Sequence, residues 1–196
     1  MSTTEQQHRP VLHTIVCSTR PGRIGSTVGA WAQAQAAEHA GFDAKLLELA
    51  DFALPVFDEP EHPRFGRYQH AHTKRWSESV AAADAFVFVM PEYNYAPTPA
   101  WLNAMTYLVR EWHYKPAAFV SYGAISGGMR GVQMAKQILT TFKVVPMLEG
   151  VVLPWVTQKV EGGRLNVPDD TDAAARAMLV GLLRWARVLP ALRRWG

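Results

Sequence analysis

The sequence has a single cysteine, no long hydrophobic run and no large excess of either charge. Cys17 alone cannot form an internal disulfide or a multi-cysteine metal site, so cysteine usage favours a reducing cytoplasm. The first ten residues, MSTTEQQHRP, lack the apolar core of a signal peptide, and no apolar run approaches the roughly 20 residues that cross a bilayer. We therefore expect a cytoplasmic protein without membrane insertion and with residues 1–10 disordered.

The balance of basic and acidic residues bears on which binding partners the protein needs. The chain has 20 basic and 17 acidic residues and a net charge of +3, which does not require a nucleic acid partner. We interpret the arginines crowded at the C-terminus as the solvated end of a helix: Arg184, Arg187, Arg193 and Arg194. With 196 residues, 48% of them hydrophobic, the chain is expected to form one domain over residues 1–196.

Apolar runs alternate with segments of helical periodicity along the chain. The runs predict five strands, at residues 11–16, 44–49, 85–90, 117–122 and 144–153. The periodic segments predict five helices, at residues 25–40, 73–83, 99–112, 129–142 and 172–189, and the proline-containing segment 51–72 predicts a loop. The alternation predicts an α/β fold, a flavodoxin-like three-layer sandwich with a five-stranded parallel sheet in the order 2-1-3-4-5.

The predicted helix at residues 99–112 has two apolar stripes. One contains Trp101, Met105, Leu108 and Trp112, and the other contains Leu102 and Val109. Two stripes are more than one sheet face covers, so this helix is either deeply buried or part of a subunit interface. We expect a homodimer or a homotetramer.

Ligands in such a sheet bind beyond the carboxyl ends of the strands, near the switch point between strands 1 and 3. The loop after strand 1 ends at the start of a helix, where an anion is favoured. Ser18, Ser26 and Thr19 offer hydroxyl donors to a phosphate, and Arg20 offers a charged fork. Glycine at position 25 permits a tight turn there.

The loops after strands 3 and 4 have unusual compositions. PEYNYAP, residues 91–97, places two tyrosines around an asparagine, which is typical of a wall for a flat ring. SYGAISGG, residues 121–128, contains three glycines that allow the backbone to approach a ligand closely. Because all three loops are predicted at one sheet end, they predict one pocket.

These motifs resemble the NADPH-dependent FMN reductases of flavodoxin-like fold. The similarity is carried by STRPGR (residues 18–23), PEYNY (91–95) and SYGAISGG (121–128), and it extends over most of residues 11–150. The resemblance implies that Ser18, Arg20 and Ser26 hold the FMN phosphate. It also implies that the isoalloxazine lies between the second and third loops. The expected cofactor-binding residues are therefore Ser18, Arg20, Gly25, Ser26, Pro91, Glu92, Tyr93, Asn94, Tyr95, Ser121, Tyr122, Gly123, Gly127 and Gly128.

The resemblance further implies an FMN-dependent NAD(P)H oxidoreductase. Hydride would pass from NADPH or NADH through bound FMN to a small acceptor such as a quinone, a free flavin, an azo compound or a metal complex. The flavin carries this chemistry, so we expect no catalytic side chain and no metal. We expect Glu92 to anchor its loop. Arg23 is either a contact to the 2′-phosphate of NADPH or an exposed loop cation.

Two other functions stay open at this point. Cys17 and Arg23 have the C-x5-R spacing of a cysteine-dependent phosphatase, although Pro21 removes one amide from the phosphate ring and no Asp-Pro step occurs. A non-enzymatic flavodoxin-type electron carrier is the second alternative. Such carriers are generally strongly acidic, whereas this chain is mildly basic.

Overall fold

The structure is a computed structural model that describes residues 9–39 and 41–193. Residues 1–8, which belong to the segment expected to be disordered, lie outside the described residues, as do Ala40 at the end of the first predicted helix and Arg194. Pro10 is buried, and its carbonyl oxygen accepts a hydrogen bond of 3.0 Å from the Asp43 amide.

The main sheet has five parallel strands. They are β1 (Val11–Val16), β2 (Asp43–Glu48), β3 (Ala85–Pro91), β4 (Pro116–Tyr122) and β5 (Val145–Leu153). Their order is β2-β1-β3-β4-β5, which confirms the predicted flavodoxin-like topology. A short hairpin, β6 (Val160–Glu161) with β7 (Arg164–Leu165), follows β5 and was not predicted.

Helices cover both faces of the sheet. They are α1 (Gly25–Glu38), α2 (Ala71–Ala82), α3 (Pro99–Thr106), α4 (Met129–Thr141), α5 (Asp169–Val188) and α6 (Pro190–Arg193). Residues of α1 and α5 pack in one hydrophobic core, and residues of α2, α3 and α4 pack in a second core on the other face. The predicted three-layer sandwich is confirmed. No helix in residues 9–39 and 41–193 has both the length and the apolar character needed to cross a membrane.

The helix predicted at residues 99–112 is shorter than expected. It ends at Thr106, and a separate 3-10 turn covers Arg110–Trp112. The Trp112 ring reaches the core, where its centroid lies 5.1 Å from that of Phe86 and 5.8 Å from that of Trp76. The first apolar stripe is thus buried within the chain although the helix stops, because aromatic packing overrides the local periodicity. Leu102, from the second stripe, is 44% exposed.

The segment predicted as a loop, 51–72, contains only short turns up to residue 70, because α2 begins at Ala71, two residues earlier than predicted. Side chains fasten this segment to α3. The amide group of Asn103 donates to the Pro55 carbonyl oxygen and accepts from the Phe57 amide. The Glu59 carboxylate accepts hydrogen bonds of 2.8 and 3.0 Å from the amides of Gln69 and His70. Side-chain contacts therefore satisfy backbone groups that no sheet partner could satisfy.

We expect Trp112→Ala to lower the free energy of unfolding by about 3–5 kcal/mol, since the fully buried ring would leave a cavity among aromatic neighbours. Trp185→Ala is the matched control, because the Trp185 ring on α5 is 45% exposed. Removing this ring should lower the free energy of unfolding by about 1 kcal/mol or less. Urea denaturation measures both values. Equal losses would contradict the assignment of Trp112 to the core.

Candidate functional site

The three loops predicted to converge do lie at one edge of the sheet. In the parallel register, Val16 pairs with Val89, Met90 with Ser121 and Pro91 with Tyr122. The chain leaves β1, β3 and β4 just beyond these pairs. The switch point between β1 and β3 is therefore bordered by residues 18–24, 92–98 and 123–128.

The first loop leads into α1 through an open helix start. Ile24 at the N-cap makes no side-chain hydrogen bond to the helix, and the first turn contains no acidic residue. The first amides of a helix have no partners within it, so this end favours an anion. Arg20 is exposed beside it, whereas Ser26, the second residue of α1, is partly buried. The residue types and the geometry both fit a phosphate group.

Ser18 is buried at the base of the first loop. Its hydroxyl lies 2.8 Å from the Tyr93 hydroxyl and accepts a long hydrogen bond, 3.4 Å, from the Arg20 amide. Ser18 therefore connects the first loop to the second.

The second loop contains a tight turn centred on Asn94 and Tyr95. The amides and carbonyl oxygens of Tyr93 and Ala96 exchange two hydrogen bonds, each 3.0 Å long. Asn94 and Tyr95 both have left-handed backbone conformations, with φ of 52° and 66°, as a type I′ turn requires. Tyrosine rarely adopts this conformation. The turn leaves the Tyr95 ring 65% exposed, with the Arg130 guanidinium 4.4 Å from its centroid.

Glu92 fastens the second loop to the third loop and to α4. Its carboxylate accepts hydrogen bonds from the Ser126 hydroxyl (3.0 Å) and from the amides of Arg130 (3.0 Å) and Gly131 (3.2 Å). The Arg130 guanidinium lies 3.7 Å from the same carboxylate. A carboxylate that accepts hydrogen bonds from several donors at a helix N-terminus is fixed in position. These contacts give Glu92 the anchoring geometry expected from the sequence.

The third loop is folded tightly against the strands beneath it. Gly128 has φ of 88°, and a Cβ at this position would lie 2.9 Å from both the amide nitrogen and the carbonyl oxygen of Tyr122. Gly127 has φ of 58°, and its Cβ would lie 2.9 Å from the Pro154 nitrogen. These two glycines therefore accommodate protein backbone. Gly123 is partly exposed, and its Cβ would lie 3.2 Å from the Gly128 nitrogen.

Ser121 and Tyr122 support the site from below. The Ser121 hydroxyl is buried and donates weakly, at 3.4 Å, to the Val151 carbonyl oxygen. The Tyr122 hydroxyl lies under the start of α1, where a Cβ on Gly25 would come within 2.6 Å of it. Burial raises the pKa of Tyr122 well above its usual value. Pro91 is likewise buried at the end of β3. The side chains of these residues thus lie beneath the surface of the site.

Two residues at the site were not identified from the sequence. The buried Thr98 hydroxyl donates to the Cys17 carbonyl oxygen (2.8 Å) and accepts from the Trp101 amide (3.1 Å), so it joins the first two loops and caps α3. The signal was a threonine followed by proline at a helix start. Trp155, after β5, donates its amide to the Ala124 carbonyl oxygen and is 48% exposed. No local signal identifies it.

The geometry does not support the phosphatase alternative. Cys17 is fully buried, its thiol donates to the Ile15 carbonyl oxygen at 3.3 Å, and burial raises its pKa well above the usual value. A thiolate is therefore disfavoured there. Arg23 points elsewhere and donates two hydrogen bonds, 3.1 and 2.8 Å long, to one carboxylate oxygen of Glu48. Within the described residues, no cluster of three histidine, cysteine or carboxylate side chains is placed to hold a metal ion.

We expect Gly128→Ala to destabilise the protein by about 2 kcal/mol or more, because it combines left-handed strain with a clash against the β4 backbone. The control is Gly66→Ala, which has a similar φ of 65° and open space around its Cβ, so that only the strain of about 1 kcal/mol remains. Thermal and urea unfolding compare the two variants. A Gly128 variant as stable as the Gly66 variant would contradict this account of the third loop.

Comparisons with known proteins agree with the geometry. The family profile described as NADPH-dependent FMN reductase matches residues 11–156. An NAD(P)H-dependent FMN reductase from Nectria sp is 33% identical over 72% of this chain and 73% of its own length. A protein of the same description from Schizosaccharomyces pombe is 35% identical over 74% of each chain.

A solved structure shares the fold. The flavoenzyme FerB, an NAD(P)H:(acceptor) oxidoreductase from Paracoccus denitrificans, superposes with a TM-score of 0.75 at 17% identity, over 92% of this chain and 98% of FerB. At that identity the likeness concerns the fold alone. The family profile and the two fungal relatives, together with the arrangement of the three loops, show that this chain belongs to the family of NADPH-dependent FMN reductases, flavoprotein oxidoreductases that use FMN and NAD(P)H.

Proposed function

We propose that this protein passes a hydride from NAD(P)H through bound FMN to a small electron acceptor, such as a quinone, a free flavin, an azo compound or a metal complex. The observation that carries the proposal is the convergence of the three loops around an uncapped helix start at the β1–β3 switch point. FMN, when bound, supplies the redox chemistry. The chain supplies position, hydrogen bonds and charge.

The phosphate of FMN fits the first loop. The open start of α1 favours a dianion. Ser18 lies on the loop before this helix start and Ser26 is the second residue of the helix, so both hydroxyl groups belong to the segment around the helix start. Arg20 adds a positive charge from an exposed position. No acidic residue in the first turn of α1 opposes a phosphate. These three side chains are therefore the proposed phosphate ligands.

The ring system fits the space between the second and third loops. Asn94 on the second loop is exposed and Gly123 on the third loop is partly exposed, and Glu92 joins the two loops through the Ser126 hydroxyl. Exposed aromatic and aliphatic side chains border it, namely Tyr95, Ile125 and Trp155. Flat rings, such as isoalloxazine, nicotinamide and a quinone, match an apolar and aromatic border.

Neither Glu92 nor Cys17 is placed to act as an acid, a base or a nucleophile. The Glu92 carboxylate is occupied by donors from the third loop and α4, and Cys17 is sealed in the core. The proposed role of the protein is thus to bind and orient two substrates in turn. That role predicts a ping-pong scheme, since NAD(P)H and the acceptor would use the same exposed face of the flavin.

An absorption spectrum of the purified protein, taken after FMN addition and desalting, tests the proposal. We expect a retained flavin spectrum that bleaches with NADPH under nitrogen, followed by parallel double-reciprocal plots with a quinone as acceptor. A protein that does not retain FMN would contradict the proposal. A retained flavin that NADPH does not reduce would instead indicate the electron-carrier alternative.

We expect Arg20→Ala to weaken FMN binding by roughly 1.5–3 kcal/mol, because a charge-assisted contact to phosphate is lost. Arg184→Ala, which removes another exposed arginine, on α5, is the control and should leave the FMN affinity unchanged. Quenching of FMN fluorescence on titration measures both affinities. Unchanged affinity in the Arg20 variant would remove this residue from the phosphate site.

We further propose that the protein is a cytoplasmic homodimer or homotetramer. The first apolar stripe of residues 99–112 is buried within the chain. The part of this segment that is left for contact with a second copy is the exposed Leu102 with the partly buried Val109. The single buried cysteine is compatible with a reducing compartment. Light scattering of the purified protein measures the oligomeric state, and a monomer at micromolar concentration would contradict the proposal.

A further inference from the structure

A cleft lies at the opposite end of the sheet from the proposed flavin site. It has a volume of about 600 Å³ and lies where the chain enters β4 and β5, beside the ends of α2 and α6. This volume lies within the range of pockets that bind small molecules. The lining residues are Ala81, Arg110, Glu111, His113, Tyr114, Lys115, Lys143 and Arg193.

The lining carries four basic side chains, those of Arg110, Lys115, Lys143 and Arg193, against the single carboxylate of Glu111. That carboxylate is already engaged, because it accepts hydrogen bonds from the Ser77 hydroxyl (2.6 Å) and the Tyr68 hydroxyl (3.1 Å). The cleft therefore has an excess of positive charge and few free acceptors.

The charge of Arg193 is partly neutralised by Asp84, but its guanidinium still has N–H groups that can donate hydrogen bonds. Its guanidinium donates to the Asp84 carboxylate at 3.1 Å. Its Nε is buried and has no hydrogen-bond partner among residues 9–39 and 41–193. A guanidinium has five N–H donors, so further acceptors can be bound from the cleft.

Lys115 is an unusual member of this lining because it is only 3% exposed. Its ammonium group donates to the carbonyl oxygens of Val80 (2.7 Å) and Ala81 (3.2 Å), at the end of α2. These bonds place a positive charge at the C-terminus of α2, and they leave the third N–H donor of the ammonium group for another acceptor. Burial, and then the charge of Arg193, lowers the pKa of Lys115 to about 7, although Asp84 and Glu111 act in the opposite direction. An anion in the cleft would stabilise the charged form of Lys115, which burial disfavours.

The backbone at the cleft is strained. Tyr114 and Lys143 both have left-handed conformations, with φ of 55° and 54°, and the Tyr114 amide donates to the Lys143 carbonyl oxygen at 2.9 Å. The Lys143 ammonium lies 5.4 Å from the centroid of the Tyr114 ring. Such strain costs about 1–3 kcal/mol per residue and is concentrated at ligand sites. Here it holds one aromatic ring and one cation side by side on the same cleft.

We propose that this cleft binds a phosphate-bearing small molecule of nucleotide size, with Arg110, Lys143 and Arg193 contacting its phosphates and Tyr114 contacting its organic part. Arginine forks and lysine ammonium groups are the usual partners of phosphate oxygens. The aromatic rings of Tyr114 and His113 give a surface for a planar base or ring. This proposal is independent of the proposed function, because the two sites are at opposite ends of the sheet.

Calorimetric titration of the FMN-saturated protein with ATP and with pyrophosphate tests the proposal. Excess FMN keeps the phosphate site on α1 occupied. We expect one ATP per chain, and the double variant Arg110→Gln with Lys143→Gln should bind both probes about tenfold or more weakly, since two charged contacts are lost. Tyr114→Leu should weaken ATP binding and leave pyrophosphate binding unchanged.

The matched control is the double variant Lys74→Gln with Arg176→Gln, which removes the same charge from exposed positions on α2 and α5. It should bind both probes like the unchanged protein. The absence of ATP binding, or an equal loss of affinity in the two double variants, would overturn the proposal. Retained affinity in the Arg110 and Lys143 variant would overturn it as well. All these substitutions are at partly or fully exposed positions, so folding should be preserved.

Discussion

The burial of β3 on both of its faces is the constraint on which the rest of this structure depends. All seven residues of Ala85–Pro91 are buried. Ala85, Val87 and Val89 belong to the core under α1 and α5, whereas Phe86, Phe88 and Met90 belong to the core under α2, α3 and α4. A strand that is apolar on both faces requires a helical layer on each side, and parallel neighbours require crossovers. The crossovers then place three loops at one edge.

Those loops are positioned by a small set of polar contacts. The Ser18 and Tyr93 hydroxyls, and the Thr98 hydroxyl with the Cys17 carbonyl, connect the first loop to the second. Glu92 connects the second loop to the third and to α4. In the proposed function the bound flavin carries the chemistry, so the chain's contribution there is a fixed spacing between the loops. The buried contacts supply that spacing.

The two ends of the sheet differ in their electrostatics. At the carboxyl end, the uncapped start of α1 presents backbone amides and has no acidic residue in its first turn. At the amino end, the charge comes from long basic side chains around the end of α2, with Lys115 beneath them. Both arrangements favour anions, through helix geometry in one case and through side-chain charge in the other.

The sequence by itself determined the order of elements and the convergence of three loops at one edge of the sheet, where the flavin site is proposed. Apolar runs, helical periodicity and turn residues are local properties, so the five strands, their order and the three loops could be predicted from them. The expectation that Glu92 anchors its loop agrees with the contacts of its carboxylate. Helix lengths were less accurate, since the break after Thr106 depends on the packing of Trp112 against Phe86 and Trp76.

Only the tertiary structure decided what depends on residues distant in the chain. It pairs Arg23 with Glu48 and buries Cys17, places Tyr122 under Gly25, and brings Trp155 to the rim of the site. It also collects Arg110, Lys115, Lys143 and Arg193 into one cleft. Each of these contacts joins elements separated by a crossover, and no periodicity or spacing within one segment specifies which side chains meet across the fold.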